Sequence, residues 1–143
     1  ITKAAEAFGS QSIVASIDAK KTKNGYQCVI NDGQELTEKK PVELAKEAER
    51  LGAGEIIINS IDQDGMMQGY DIELVRSVAD AVKIPVTAIG GAGGIQDLKK
   101  VLDEGHAHAA AGGSMFVYYG RLKAVLITAP SEKELKRADI YKI

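Results

Sequence analysis

Four acidic residues and two glycine clusters stand where reacting groups could meet a substrate. Asp18 directly follows the apolar, β-branched run Ser12-Ile13-Val14-Ala15-Ser16-Ile17. A carboxyl leaving the end of a buried strand is suited to general acid or base work. The same residue could instead cap a turn or pair with Lys20 or Lys21, and its neighbours alone favour that plainer role. Asp62 and Asp64 lie in the polar loop after a second apolar run, Glu55-Ile56-Ile57-Ile58-Asn59-Ser60. They could polarise substrate hydroxyls, or simply make the turn that Asp-Gln-Asp-Gly favours. A calcium loop is excluded, because its later ligand positions are absent. Gly90-Gly91-Ala92-Gly93-Gly94 and Gly112-Gly113-Ser114 follow the third and fourth runs. Glycine lets backbone N–H groups approach an oxyanion, and a helix that follows adds its positive end. A lone glycine pair usually serves packing at a turn. Two such turns in successive units favour one phosphate bridging both, with Gly90, Gly91, Gly113 and Ser114 around it. Glu55 opens a strand of isoleucines, where a carboxylate needs a charge partner or solvent.

Other reactive side chains read more plainly. His106 and His108, two apart on one side of an expected strand, have no third ligand in view, so no metal site and no cofactor are expected. Met66 and Met67 cover substrate or pack in the loop. Cys28 reads as a hairpin side chain, with no histidine beside it in sequence to activate it.

The elements that must position these groups alternate. A helix spans residues 1–8, a strand 12–17, and a small hairpin 26–36 turns at Asn31-Asp32-Gly33. Pro41 starts a helix whose Leu44, Ala45, Ala48 and Leu51 share one face, and Gly52 stops it. Strand 55–60 precedes a helix capped by Asp71, with Leu74, Val75, Val78, Ala79 and Val82 as its stripe. Strand 85–89 precedes a helix carrying Leu98, Val101 and Leu102, and a weaker strand is expected over 106–111. Residues 124–127 read as extended, and Ser131-Glu132-Lys133-Glu134 as a capping box opening a last helix. Alternation with right-handed crossovers makes an α/β fold with a parallel sheet. In parallel barrels the loops after the strands share one mouth, so Asp18, Asp64 and both glycine turns face it together.

The opening helix has no strand before it, and four strands cannot close the eight-stranded barrel that takes about 250 residues. An open sheet would also leave two unpaired edges. Residues 1–143 are therefore expected to be a single half-barrel, part of a longer chain, whose partner is the other half or a second copy.

Composition narrows the partners. The 143 residues are 45% hydrophobic and 27% charged, enough for one core. A formal charge of −2 supplies no basic field for nucleic acid or an anionic membrane. A single cysteine and the absence of a long apolar run point to the cytoplasm.

From Gly52-Ala53-Gly54-Glu55 through Ser60-Ile61-Asp62-Gln63-Asp64-Gly65 and Gly69-Tyr70-Asp71, the sequence resembles the cyclase subunit of imidazole glycerol phosphate synthase. Ser16-Ile17-Asp18-Ala19-Lys20 and Gly90-Gly91-Ala92-Gly93 fit the same family in order, and the likeness runs to about Phe116. It implies the C-terminal half, strands five to eight, of a (βα)8 barrel. It also implies a lyase and cyclase reaction of histidine biosynthesis, in which ammonia from a glutamine amidotransferase subunit attacks a bisphosphorylated ribulosyl substrate. The products would be imidazole glycerol phosphate and an aminoimidazole carboxamide ribotide. Asp18 matches one of the family's two catalytic aspartates; the other belongs to strand one. Asp64 and Gly65 match the loop over the substrate, Gly91, Gly113 and Ser114 a phosphate site, and Glu55 a charged ammonia gate at the barrel's bottom. Ile89 stands where the family has serine, Met66-Met67-Gln68 replaces a more polar loop, and the stretch from Tyr118 to Pro130 departs from a helical tail. Similar tails occur in relatives that deliver ammonia to amidinate a sugar in surface polysaccharide synthesis. A noncatalytic half-barrel that self-associates and keeps only a phosphate site is a further alternative.

Overall fold

The computed structural model describes residues 1–140. Helix α1 (Thr2–Phe8) and a 3₁₀ turn lead into β1 (Val14–Thr22), from which β2 (Gly25–Ile30) and β3 (Glu35–Leu36) fold back. The alternating part follows as α2 (Pro41–Arg50), β4 (Glu55–Ser60), α3 (Ile72–Ala79), β5 (Val86–Ile89), α4 (Ile95–Asp103) and β6 (Ala109–Ala110). One six-stranded sheet runs in the order β3-β2-β1-β4-β5-β6; β1, β4, β5 and β6 are parallel, and β2 and β3 run antiparallel at one side.

Alternation along the strands sorts their residues onto two faces. Ile17, Ala19, Ile56, Ile58, Val86 and Ala88 are buried against Ala45 and Ala48 of α2, Leu74 and Val78 of α3, and Leu98 and Val101 of α4. The fully buried Ile, Leu and Val side chains each contribute about 1.5–3 kcal/mol of transfer free energy. The opposite face carries Glu55, Ile57 and Asn59 of β4, all half-buried. Parallel register brings Val14, Ser16 and Asp18 beside them from β1, and Thr87 and Ile89 from β5. Val14 is 49% exposed.

Two elements differ from the sequence expectation. Strand β1 does not end at Asp18 but continues to Thr22, because β2 turns back through Gly25 and pairs with Asp18 to Thr22. The expected strand over 106–111 shrinks to Ala109–Ala110. Its start is lost because His106 adopts a positive φ of 56°, and His108 spends its Nδ1 accepting from the Val86 amide at 3.2 Å. The two histidines therefore do not share a strand face; His106 instead meets Asp80 at 2.7 Å. After Gly113 the chain forms a short helix, α5 (Ser114–Val117), then a hairpin of β7 (Tyr118–Tyr119) and β8 (Ala124–Val125), then α6 (Glu132–Arg137). Helix α6 opens with the expected capping box, Ser131 N–H donating to Glu134 Oε2 at 2.8 Å. Among the described residues no helix is long and apolar enough to cross a membrane.

Candidate functional site

The carboxyl ends of the parallel β1–β4 and β4–β5 ladders sit side by side, β1 itself running on past Asp18 to Thr22. Asp18 and Asn59 are register partners on adjacent strands, as are Asn59 and Ile89. Asn59 Nδ2 donates to Asp18 Oδ1 at 3.0 Å. Neither Lys20 nor Lys21 pairs with Asp18: Lys21 reaches Glu73 at 2.7 Å instead. The other end of the Asn59 amide, Oδ1, is buried without a hydrogen-bond partner among the described residues. It faces Gly90, where an added Cβ would lie 2.6 Å from it. Asp18, Asn59 and Gly90 thus form one line across the strand ends. Nothing in the sequence singled out Asn59. The usable signal was an amide at the last inward position of a strand whose other inward residues are Glu55 and Ile57.

Beyond Gly90 the two glycine turns meet. A cavity of about 120 Å³ is lined by Asp64 and Gly65 and by residues 89–92 and 112–114. It brings together Asp64, Gly65, Gly90, Gly91, Gly113 and Ser114. Among the described residues no Lys or Arg lines it, so an anion there would be held by backbone dipoles of this chain. The amides of Gly91, Ala92, Gly113 and Ser114 donate to no other protein group among the described residues. An N–H group on an anion is worth about 1.5–3 kcal/mol. Helix α4 offers less than the sequence suggested, because the Asp97 carboxylate already occupies its N-terminal end: the N–H groups of Gly94 at the N-cap and Gly93 before it both donate to Asp97 Oδ2, at 3.1 and 2.9 Å. Helix α5, with four residues, is too short to add much of a dipole. Asp64 also lines the cavity, and a carboxylate suits a hydroxyl donor rather than a phosphate oxygen.

The loop after β4 is fixed over these turns. Its Asp62 Oδ2 accepts from the Lys21 amide at 2.8 Å, which assigns Asp62 to the scaffold. Gly69 N–H donates to Gly91 O at 2.8 Å, and Tyr70 Oη donates to Ala111 O at 2.7 Å. Burial pushes the Tyr70 phenol up to about 12, with Asp97 adding to the shift. Gly91 holds φ at 112°, and a Cβ there would overlap the Gly69 carbonyl oxygen. By contrast, a Cβ at Gly113 would meet nothing within 4 Å. The two glycines are small for different reasons, one for packing and one beside open space.

Glu55 stands at the opposite end of β4, about 13 Å from Asn59 at roughly 3.3 Å per residue. Thr87 Oγ1 donates to its Oε1 at 2.5 Å, and no cation pairs with it among the described residues. Cys28 pairs with Ala19 next to Asp18 but is buried in the core beneath the helices, which pushes its thiol up to about 11. Among the described residues no three His, Cys, Asp or Glu side chains gather as metal ligands would.

A parallel-rich α/β sheet with an acid and two glycine turns at the carboxyl side of its strands is consistent with part of a (βα)8 barrel. The chain belongs to the histidine biosynthesis protein family, whose model matches residues 1–123. It is similar to HisF-type cyclase subunits. Over 121 residues it is 49% identical to imidazole glycerol phosphate synthase subunit HisF of Dehalococcoides mccartyi, covering 85% of this chain and 47% of that protein. It is 43% identical over 140 residues to a protein of Vibrio vulnificus provisionally named imidazole glycerol phosphate synthase subunit hisF3, covering 96% of this chain and 54% of that one. A provisionally named HisF of Leptospira borgpetersenii is 45% identical over 133 residues, 92% of this chain and 52% of that one. The chain spans about half the length of the curated relatives it matches.

Proposed function

We propose that this chain supplies strands five to eight of a cyclase barrel, which uses glutamine-derived ammonia to form imidazole glycerol phosphate and an aminoimidazole carboxamide ribotide. The supporting observation is the single line from Asp18 through Asn59 to Gly90, which ends at the glycine-walled cavity. In this reading β1, β4, β5 and β6 are barrel strands five to eight, and their exposed face is one wall of the barrel interior. One phosphate of the substrate rests on the amides around Gly91, Gly113 and Ser114. Asp64 and Gly65 cover the sugar chain. Asp18 gives and takes protons where ammonia adds, opposite an acid carried by the other half. Ammonia released by an amidotransferase subunit enters past Glu55 and travels the roughly 13 Å to Asn59 along Ile57 and its neighbours.

In the complete barrel, Asp18→Asn is expected to abolish ammonia-dependent turnover while substrate still binds. The isolated 143-residue chain is expected to bind phosphate weakly and to turn over nothing. Turnover by that chain alone would refute the need for a second acid.

A second reading rests on Ile89, which lines the cavity where the histidine enzyme has serine, and on the β7–β8 hairpin in place of a helical tail. Both suit a relative that delivers ammonia to a sugar for surface polysaccharide. Identifying the product formed with ammonia separates the two.

A further inference from the structure

We propose that Asn59 is the positioning residue for Asp18, and that Gly90 is bare in order to seat its amide. The inference rests on the role given to Asp18 above. Its starting point is an acceptor without a partner among the described residues: Asn59 Oδ1 is buried and accepts no hydrogen bond there, while Nδ2 of the same amide donates to Asp18 at 3.0 Å. Buried polar atoms without partners are uncommon and ask for a reason. Turning the amide over would present N–H to the side of Gly90 that also carries the Ser60 carbonyl oxygen. It would also set a carbonyl oxygen against the Asp18 carboxylate. Local hydrogen bonding within the scaffold therefore does not choose this orientation; the charge on Asp18 does. An amide held this way fixes which carboxylate lone pairs remain free for substrate.

The same side chain can serve the other protonation state. Once Asp18 has taken a proton from the reacting centre, a half-turn of the amide lets Oδ1 accept the new O–H. Room for the half-turn exists because position 90 has no Cβ: one would lie 2.6 Å from Oδ1 and 2.8 Å from Ser60 O. A leucine at position 59 fills similar space but can do neither. A serine hydroxyl can rotate to do both, and an aspartate places a second negative charge beside the first.

The test uses the complete barrel with ammonia as nitrogen donor. Asn59→Leu is expected to lower kcat by about 10- to 100-fold with KM within about twofold, the range for losing a hydrogen bond to a charged group. Asn59→Ser is expected to recover kcat to within about fivefold of the parent. Asn59→Asp should move the acid limb of the kcat–pH profile up by about one unit, since neighbouring carboxyls resist ionising together. Parent-like kcat in Asn59→Leu, a loss confined to KM, or Asn59→Ser as impaired as Asn59→Leu overturns the inference. If Asn59→Leu fails to melt cooperatively, the serine and aspartate variants decide: rescue with a shifted profile supports it, and an unshifted profile overturns it. Asp18→Asn is measured alongside. Turnover retained there defeats the role of Asp18 itself, whereas turnover lost there with parent-like Asn59→Leu defeats the inference alone.

Discussion

Replacing Gly91 and Gly113 by alanine, one at a time, separates a glycine kept for packing from one kept for a ligand. At Gly91 the backbone holds φ at 112°, and an L-residue there costs about 1–2 kcal/mol. The new Cβ would also overlap the Gly69 carbonyl oxygen, so the loop over the site must back away. Backing away breaks the 2.8 Å bond from Gly69 N–H to Gly91 O, worth about 1 kcal/mol. Gly91→Ala should therefore destabilise the fold by about 2–3 kcal/mol and also loosen the cavity. At Gly113 φ is −113° and a Cβ meets nothing, so alanine is expected to leave stability unchanged or raise it by about 0.4–1 kcal/mol. Its methyl would nonetheless stand beside the cavity, where a phosphate oxygen must approach the amides. Urea unfolding of the complete barrel gives the stability of each variant, and titration calorimetry with inorganic phosphate gives its affinity. A stable Gly91→Ala would refute the packing argument. If Gly113→Ala is stable yet binds phosphate like the parent, the phosphate is not held at this turn.

Three further outcomes follow from the same contacts. Tyr70 releases its proton near 12 in the fold and near 10 when unfolded. The folded state thus binds that proton more tightly, so its contribution is intact below pH 10 and is lost as pH rises towards 12; Tyr70→Phe should flatten that part of the stability–pH curve, and parallel curves for parent and variant would contradict the assignment. Cys28, 3% exposed with its thiol pushed up to about 11, should react with iodoacetamide at pH 8 only as fast as the protein opens; alkylation at the rate of a free thiol would show the site to be accessible. Asp71 accepts from Leu74 N–H at 3.0 Å as the cap of α3 and from Tyr26 Oη at 2.8 Å; Asp71→Ala should cost about 2–3 kcal/mol in urea unfolding, and a loss under about 0.5 kcal/mol would mean neither bond matters.

How much of this was legible in sequence depends on whether the deciding interaction was local. Strand β4 falls on the residues its isoleucines mark, because burial of every second side chain is written in the pattern itself. Helices α2 and α3 likewise begin at Pro41 and just after Asp71, where fixed φ and a capping carboxylate act within one turn. Strand β1 overran its expected end because its last residues pair with β2, a contact set by a turn at Gly25 and not by their own hydropathy. The weak strand over 106–111 dwindled because, among the described residues, β6 has one neighbour and makes two ladder pairs, to Thr87 and Ala88.

The site divides in the same way. Glycine clusters and an aspartate straight after an apolar run advertise themselves by residue type, and the fold does bring the clusters to one cavity. What residue type does not reveal is what each glycine is small for. Gly90, Gly91 and Gly93 each stand against a neighbour that a Cβ would strike: the Asn59 amide, the Gly69 carbonyl and the Met67 carbonyl in turn. Gly113 has no such neighbour. A turn rich in glycine therefore does two jobs at once, clasping the loop from β4 with most of its members and leaving a few amides unspent. Asn59 belongs to the first job by its closeness to Gly90 and to the second by its bond to Asp18, so it links the turn to the acid. Any substitution that shifts Gly90 should accordingly be felt first at Asp18, before the core beneath the helices gives way.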